Sequence, residues 1–304
     1  MAHRRLMMLL ASRDLFSNWL EAGFRYFLVK HGLLAGGVVV KCGGMKYVLS
    51  PSAYHIIIRA YYEGVIEGVE CRDSLYTVFT YMGRRIHLYK AFEFLYDIVF
   101  ENFYGGVYSG VDVGGKTVVD VGAGVGDTAI LFSLMGARRV VALEPYPALY
   151  RKALVNARIN GFEDRVLLVN AGVGSSDEEV CADLRDVHGY YVFRSSGRCD
   201  TKVRIYTLSS LVRGFKIEAG SILKVDCEGC EYDVLLNAKP EDIRVFEQII
   251  IEYHNGYKEI RKLLEDLGYE TIIKPMKTVS LSLEKQGYIV ASLWERWKSL
   301  DVNK

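Results

Sequence analysis

The sequence predicts an α/β protein with a doubly wound, mostly parallel sheet and an N-terminal α+β extension. Two observations support this fold class. Short, continuous apolar segments recur after residue 116, as in strands that are buried on both faces of a parallel sheet. Helical patterns separate these segments and give successive strand–helix–strand units. We therefore predict a principal domain over 89–304 and an N-terminal extension over 1–88.

The N-terminal extension is predicted to contain a helix, a β-hairpin and a second helix. Apolar and aromatic residues recur every three to four positions over 14–31, which predicts a helix whose apolar stripe faces the core. The pattern over 38–51 predicts a hairpin around a Gly-Gly pair, and 52–63 a helix. A further apolar helix is expected near 88–103. We expect this extension to make contacts with the substrate or with another copy of the chain.

In the principal domain, the pattern assigns each segment to a strand or a helix. Strands are predicted over 116–122, 138–144, 165–172, 221–227, 247–254, 269–274 and 287–293. Helices are predicted over 127–137, 147–161 and 257–268. A two-stranded excursion is expected near 178–184 and 202–207, with a glycine-containing loop over 188–198 between its strands.

Composition argues against several classes of protein without excluding nucleic acid binding. The 304 residues carry a formal net charge of +1, which gives no strong signal for nucleic acid binding. No stretch approaches the roughly 18 uncharged apolar residues of a membrane span. A chain of this length with six scattered cysteines is unlike a small secreted disulfide scaffold, so we expect a reduced, cytoplasmic protein.

The low glutamine content, with abundant Lys, Arg and Glu, favours a thermophilic source. Intracellular disulfides occur in such organisms, and Cys181 with Cys199 is then a candidate pair.

The strongest motif is VVDVGAGVGD, residues 118–127, at a predicted strand-to-helix junction. Its three glycines, Gly122, Gly124 and Gly126, allow a tight turn and the close approach of a ligand. Glu144 follows at the end of the next predicted strand, where a carboxylate can accept hydrogen bonds from both hydroxyls of a ribose. Together these features predict an adenosine-containing cofactor.

The charges beside this turn favour S-adenosylmethionine over NAD. The dinucleotide fingerprint is G-x-G-x-x-G, whereas the spacing here is G-x-G-x-G, with Asp120 and Asp127 on either side. These acids would repel a pyrophosphate, but they suit a sulfonium and an α-amino group. A glycine turn with nothing bound is the alternative.

Four segments in this order, DVGAGVGD, VVALEPYP, LKVDCEGCEYDVL and IIIEYH, resemble the FkbM-type SAM-dependent methyltransferases. The resemblance covers roughly 102–270 and leaves the first hundred residues outside it. It implies the class I methyltransferase (Rossmann-like) fold, and O-methylation of a hydroxyl, often on a sugar or a polyketide-type molecule. S-adenosylhomocysteine is then the product.

The resemblance and the positions of the motifs together assign the cofactor site. The glycine turn and the two acids that flank it are expected around the methionine part of the cofactor. Glu144 is expected at the ribose. Pro145 and the residues at the end of the third strand are expected at the adenine. The predicted set is Asp120, Gly122, Ala123, Gly124, Gly126, Asp127, Glu144, Pro145, Asn170 and Ala171.

A cluster of acids and one histidine is expected where the fourth and fifth strands end. Asp226 and Glu228 lie two residues apart on one strand end, and Glu252 and His254 have the same spacing on the next. A hydroxyl acceptor must lose a proton, and His254, Asp226 or Glu228 could be the base. We predict these four residues as catalytic and assign no metal ligand. Cys227 and Cys230 are expected to be compact fillers.

Two alternatives for the cluster stay open. The four side chains could instead bind a divalent cation, magnesium or calcium, that orients a sugar diol, although no cation is predicted. They could also be structural, with Glu228 or Glu231 capping the following helix.

The leading prediction is therefore a SAM-dependent O-methyltransferase of a small molecule or a sugar or glycan. An RNA (tRNA) methyltransferase is an alternative, with Arg84 and Arg85 gripping the nucleic acid. The turn Asp-Cys-Glu-Gly lacks the Asp/Asn-Pro-Pro-aromatic pattern of many enzymes that methylate amino groups, which disfavours it. A non-catalytic SAM-binding or assembly module, whose N-terminal helix mediates homo-oligomerisation, is the alternative from another class.

Overall fold

The computed structural model describes residues 2–182, 199, 201–274 and 284–293. The chain forms two compact units, Met1–Gly105 and Gly106–Lys304. The domain boundary expected at residue 88 stays a prediction. The expected glycine-containing loop over 188–198 lies outside the described residues.

The first unit contains three helices and two small antiparallel sheets. Its helices are α1 (Ala2–Leu15), α2 (Trp19–Lys30) and α3 (Pro51–Tyr62), followed late in the unit by a 3₁₀ turn (Phe92–Phe94) and a π-helical segment (Asp97–Phe103). Its strands are β1 (Val38–Cys42), β2 (Met45–Leu49), β3 (Gly68–Cys71), β4 (Leu75–Tyr81) and β5 (Arg84–Tyr89). The first two strands form the expected hairpin, and the other three form an antiparallel meander that was not predicted.

The helix predicted over 14–31 is present as α2, but it begins later than expected, because the helical conformation is interrupted between α1 and α2. The N–H of Ser17 donates to the carbonyl of Lys41 at 2.9 Å, and the side chain of Asn18 accepts from the N–H of Lys41 at 2.7 Å. Pairing with β1 therefore replaces helical hydrogen bonds at this point. The expected core stripe is wrong in part, since Leu20 and Phe24 are more than half exposed.

The helix expected near 88–103 is also wrong in its first part. Strand β5 extends to Tyr89, and helical structure begins only afterwards, as the 3₁₀ turn and the π-helical segment.

The second unit alternates strands and helices as predicted. Its strands are β6 (Thr117–Val121), β7 (Arg139–Leu143), β8 (Val166–Val169), β9 (Ala171–Val173), β10 (Glu178–Ala182), β11 (Thr201–Tyr206), β12 (Ser221–Val225), β13 (Phe246–Tyr253), β14 (Tyr269–Lys274) and β15 (Gly287–Leu293). Its helices are α4 (Asp127–Leu134), α5 (Pro147–Ile159), α6 (Leu208–Gly214), α7 (Cys230–Leu236), α8 (Pro240–Ile243) and α9 (Lys258–Asp266).

A seven-stranded sheet in the order β14-β15-β13-β12-β6-β7-β8 forms the centre of this unit. All its strands run parallel except β15, which lies antiparallel between β13 and β14. Every residue of β6 and β12 is buried, as their continuous apolar patterns predict. The predicted fold class is thus confirmed. Because β6, β12 and β13 are parallel neighbours, their carboxyl ends meet at one edge of the sheet.

The expected excursion is present as a small sheet in the order β10-β11-β9, with β10 and β11 antiparallel. Among the residues that the structure describes, no helix combines the length and the apolar character needed to cross a membrane.

All six cysteines are paired, so the reduced state expected for them is wrong in this structure. The disulfides join Cys42 to Cys71, Cys181 to Cys199, and Cys227 to Cys230, with Cα–Cα distances of 5.8, 4.9 and 5.4 Å. These distances lie in the ordinary range for disulfides, roughly 4.4–6.8 Å.

Candidate active site

The end of β12 packs directly against the glycine turn that follows β6. Gly122 has a φ of +76°, and a Cβ on it would lie 1.7 Å from the carbonyl oxygen of Asp226. Gly126, with a φ of +84°, begins α4 so close to Ala153 that a Cβ would lie 3.0 Å from the Ala153 Cβ. Both positions therefore require glycine, one for the approach of β12 and one for the packing of α4 on α5.

Gly124, between them, has a φ of +55° and no atom within 4 Å of an added Cβ. Its N–H donates to Oε2 of Glu144 at 2.8 Å, and the N–H of Tyr146 donates to Oε1 at 2.8 Å. The glycine turn and the end of β7 are thus joined through one buried carboxylate. Burial raises the pKa of Glu144 to about 7, against the lowering effect of the two N–H groups.

The residues predicted to border the adenine lie beside Glu144. The side-chain amide of Asn170 donates to the carbonyls of Glu144 and Pro145, at 2.8 and 2.9 Å. Ala171 follows as the first residue of β9 and is buried. These bonds fix the chain after β7, so the predicted ribose and adenine residues lie together.

Asp120 lies beneath the turn, fully buried. One carboxylate oxygen is 3.0 Å from Nζ of Lys224 and the other accepts from the hydroxyl of Thr128 at 2.6 Å. Lys224, only 2% exposed, also donates to the carbonyl of Gly122 at 2.8 Å and lies 3.6 Å from Asp226. Burial opposes its charge, but Asp120 and Asp226 outweigh this effect and raise the pKa of Lys224. A direct contact between Asp120 and the cofactor stays a prediction.

The groups around the turn suit S-adenosylmethionine chemically. The open space in front of Gly124 leaves its backbone accessible to a ligand. A carboxylate at Glu144 is an acceptor for ribose hydroxyls, and Asp127, buried at the start of α4, supplies negative charge for a cationic ligand. These residues, with Ala123 and Gly126 completing the turn, would hold the cofactor.

Cofactor affinity should depend on pH through Glu144. A carboxylate accepts ribose hydroxyls at both oxygens, whereas the protonated acid loses part of this capacity. Because the pKa of Glu144 is about 7 in the folded chain, we expect affinity for S-adenosylmethionine to level off above this pH. Below it, affinity should fall by up to about tenfold per pH unit. Calorimetric titrations across this pH range measure the effect.

The matched variant for this experiment is Glu144→Gln, which should bind more weakly than the wild type and lose the pH dependence. A wild-type affinity that is flat between acidic and mildly alkaline pH, or a variant that keeps the same profile, would refute the assignment of Glu144 to the ribose.

The predicted catalytic residues do meet at the sheet edge. Asp226 and Glu252 follow the paired residues Val225 and Ile251 of the adjacent strands β12 and β13. His254 Nε2 lies 3.2 Å from an oxygen of Glu228 and 3.5 Å from one of Glu252. One ligand atom each from Asp226, Glu228 and His254 lies within 4.8 Å of the others.

The electrostatics of this cluster favour Asp226 over His254 as a proton acceptor. Burial and the charge of Glu252 raise the pKa of Asp226 well above its usual range. Burial lowers the pKa of His254, but the carboxylates of Glu231 and Glu252 outweigh it and raise that pKa to about 11. The predicted role of His254 as the base stays a prediction that these surroundings do not favour.

Three residues of the site were not predicted as functional. Lys224 had a signal, because it is a lysine within an otherwise apolar buried strand. Glu231 was considered only as a helix cap, but it is fully buried and lies 2.7 Å from Nδ1 of His254. No sequence pattern pointed to Tyr108. Burial, and then the charges of Asp226 and Asp120, raise the pKa of Tyr108 well above its usual value.

Cys227 and Cys230, expected as compact fillers, form a disulfide instead. The short ring that they close contains Glu228 and Gly229, whose φ angles are +55° and +112°. A left-handed conformation is unusual for glutamate. The ring therefore holds Glu228 in a backbone conformation that an unconstrained glutamate rarely adopts.

A family model and several curated proteins match parts of this chain. Residues 120–271, half of the 304 residues, match the model described as the Methyltransferase FkbM domain. The ribosomal protein L11 methyltransferase of Alteromonas mediterranea is 46% identical over 57 residues, 19% of this chain and 20% of that protein. The chain thus matches about a fifth of the length of such curated relatives.

Solved structures are similar at lower identity. A methyltransferase FkbM from Methylobacillus flagellatus is 16% identical, with a TM-score of 0.43, over 66% of this chain and 54% of that one. Magnesium protoporphyrin IX methyltransferase from Synechocystis, solved with bound SAM, is 14% identical, with a TM-score of 0.34. That similarity covers 62% of this chain and 75% of the other.

Proposed function

The chain belongs to the FkbM methyltransferase family, and we propose that it is a SAM-dependent methyltransferase whose acceptor is a hydroxyl of a small molecule or a glycan. When bound, S-adenosylmethionine supplies a methyl group on a sulfonium; transfer breaks the S–C bond, forms a C–O bond and leaves S-adenosylhomocysteine. The protein must hold the acceptor oxygen in line with this methyl group and remove the hydroxyl proton.

The acidic cluster beside the glycine turn is the observation that carries this proposal. The side chains of Asp226 and Glu228 are 29% and 24% exposed, so an acceptor can reach them. A carboxylate there accepts a hydrogen bond from the acceptor hydroxyl and directs an oxygen lone pair toward the methyl group. As the C–O bond forms, the hydroxyl proton passes to a carboxylate of the cluster.

Lys224 and Glu231 are positioning residues in this proposal. Lys224 bonds to Asp120 and the Gly122 carbonyl on the cofactor side, and lies near Asp226 on the acceptor side. It therefore fixes the two halves of the site relative to each other. Glu231 fixes the orientation of the His254 ring through a hydrogen bond to Nδ1.

We also propose a cytoplasmic location in a thermophile. The three disulfides are consistent with this source, because intracellular proteins of hyperthermophiles are disulfide-rich.

Asp226→Asn tests the proposal. The variant should lower turnover by roughly 10²–10⁴-fold, the usual contribution of a positioned proton acceptor, while S-adenosylmethionine still binds. Turnover is followed as transfer of an isotopically labelled methyl group into cell-extract metabolites, glycans and RNA, separated before mass spectrometry.

Asp233→Asn is the matched control, because Asp233 follows the same turn but bonds to the N–H of Ser175, outside the cluster. It should retain turnover. Absence of binding of S-adenosylmethionine at millimolar concentration would refute the cofactor, and label recovered in RNA or protein alone would refute the hydroxyl acceptor.

A further inference from the structure

We infer that Asp226, Glu228 and His254 bind a divalent cation at the end of β12 and β13. Each offers one ligand atom, and the three atoms lie within 4.8 Å of one another. The imidazole atom is Nε2, because it faces Glu228 at 3.2 Å while Nδ1 faces Glu231.

The histidine supplies an observation independent of the acids. Its side chain is nine-tenths buried, with 10% exposure, and its Nε2 has no hydrogen bond of acceptable geometry although two carboxylates lie nearby. Buried polar atoms nearly always have a hydrogen-bond partner in the protein, or they contact a water molecule or an ion. An atom in this position, aimed at two carboxylates, is arranged as a ligand.

Glu231 prepares the ring for this role. An ionised carboxylate only accepts, so Nδ1 of His254 donates its hydrogen to Glu231 Oε1 at 2.7 Å. A cation that binds Nε2 displaces the proton this atom carries in the imidazolium, and the Nε2 lone pair then points toward Asp226 and Glu228. At histidine metal sites, the nitrogen that does not bind the metal often donates a hydrogen bond to a buried carboxylate.

The donor set selects the class of ion. Two carboxylate oxygens and one imidazole nitrogen suit a hard to borderline divalent cation, and the nitrogen favours Mn²⁺ over Mg²⁺ or Ca²⁺. The nearby sulfurs of Cys227 and Cys230 are joined to each other, so they offer no thiolate to a softer ion. Two ligand carboxylates balance the charge of one such ion.

The partial exposure of Asp226 and Glu228 leaves positions on the ion open to water or to an acceptor. The function of the ion, holding a hydroxyl or a diol of the acceptor beside the methyl donor, rests on the proposed function. The existence of the site does not.

Titration of the EDTA-treated full chain with Mn²⁺, followed by the loss of the free-ion electron paramagnetic resonance signal, tests the site. We expect one Mn²⁺ per chain in the wild type and in Asp233→Asn. Glu228→Gln and His254→Gln should weaken binding by roughly 10–100-fold or more, and Glu231→Gln by roughly tenfold. Circular dichroism confirms that each variant is folded. Glu228→Gln is the variant least expected to disturb folding, because the Glu228 side chain is a quarter exposed.

No Mn²⁺ binding by the wild type, or equal affinity in Glu228→Gln and Asp233→Asn, would overturn the inference. Calorimetry with S-adenosylmethionine on the same EDTA-treated protein separates the two proposals. Cofactor binding without Mn²⁺ binding removes only the cation site, and Mn²⁺ binding without cofactor binding removes only the proposed function.

Discussion

Lys224→Met is expected to lower the free energy of unfolding by about 3–5 kcal/mol, the usual cost of removing one partner of a buried ion pair. Lys224 is 2% exposed and Asp120 is fully buried, so the variant leaves a carboxylate without its cation in the interior. The bond to the Gly122 carbonyl is also lost. Urea denaturation with an unchanged m-value measures the change.

Lys262→Met is the matched control, because Lys262 pairs with Asp266 on the surface and is 77% exposed. It should leave the free energy of unfolding nearly unchanged, because water and salt screen a surface ion pair. The double variant Asp120→Asn/Lys224→Met should be more stable than Lys224→Met alone, since the uncompensated charge is removed. Equal stability of Lys224→Met and Lys262→Met would contradict the importance of this ion pair.

Gly122→Ala is the second large effect, with an expected loss of about 2–5 kcal/mol. The left-handed conformation accounts for about 1–2 kcal/mol of it. The rest comes from the new Cβ, which would lie 1.7 Å from the Asp226 carbonyl oxygen, a backbone atom that cannot rotate away. The end of β12 must therefore move from β6. Calorimetric melting measures the loss, and binding of S-adenosylmethionine should fall with it.

Gly124→Ala distinguishes this steric effect from the conformational one. Gly124 also has a positive φ, but an added Cβ there meets no atom within 4 Å. It should cost only about 1–2 kcal/mol, while its Cβ narrows the approach of the cofactor. If both variants were equally stable, the close approach of β12 at Gly122 would not be the constraint that we describe.

The parts of the fold and the site that could be predicted are those with a local signal. Apolar runs identified β6, β7, β12 and β13, and the glycine spacing identified the turn beside Glu144. Asp226, Glu228, Glu252 and His254 could be placed together because parallel strands end at one edge.

The parts that could not be predicted depend on contacts distant in sequence. The pairing of Lys224 with Asp120 follows from the register between β12 and β6. Glu231 reaches His254 only because α7 packs beside β13. Likewise, the helix expected over 14–31 is interrupted because Ser17 pairs with β1, which follows much later in the chain.

The three disulfides constrain the chain in different ways. In the chain-entropy view, the bridges that span 29 and 18 residues each remove about 3–4 kcal/mol of freedom from the unfolded ensemble. The bridge from Cys227 to Cys230 spans three residues and removes less than about 2 kcal/mol. A reductant would therefore act mainly on global stability through the first two. Through the third, it would release the backbone of Glu228 at the centre of the site.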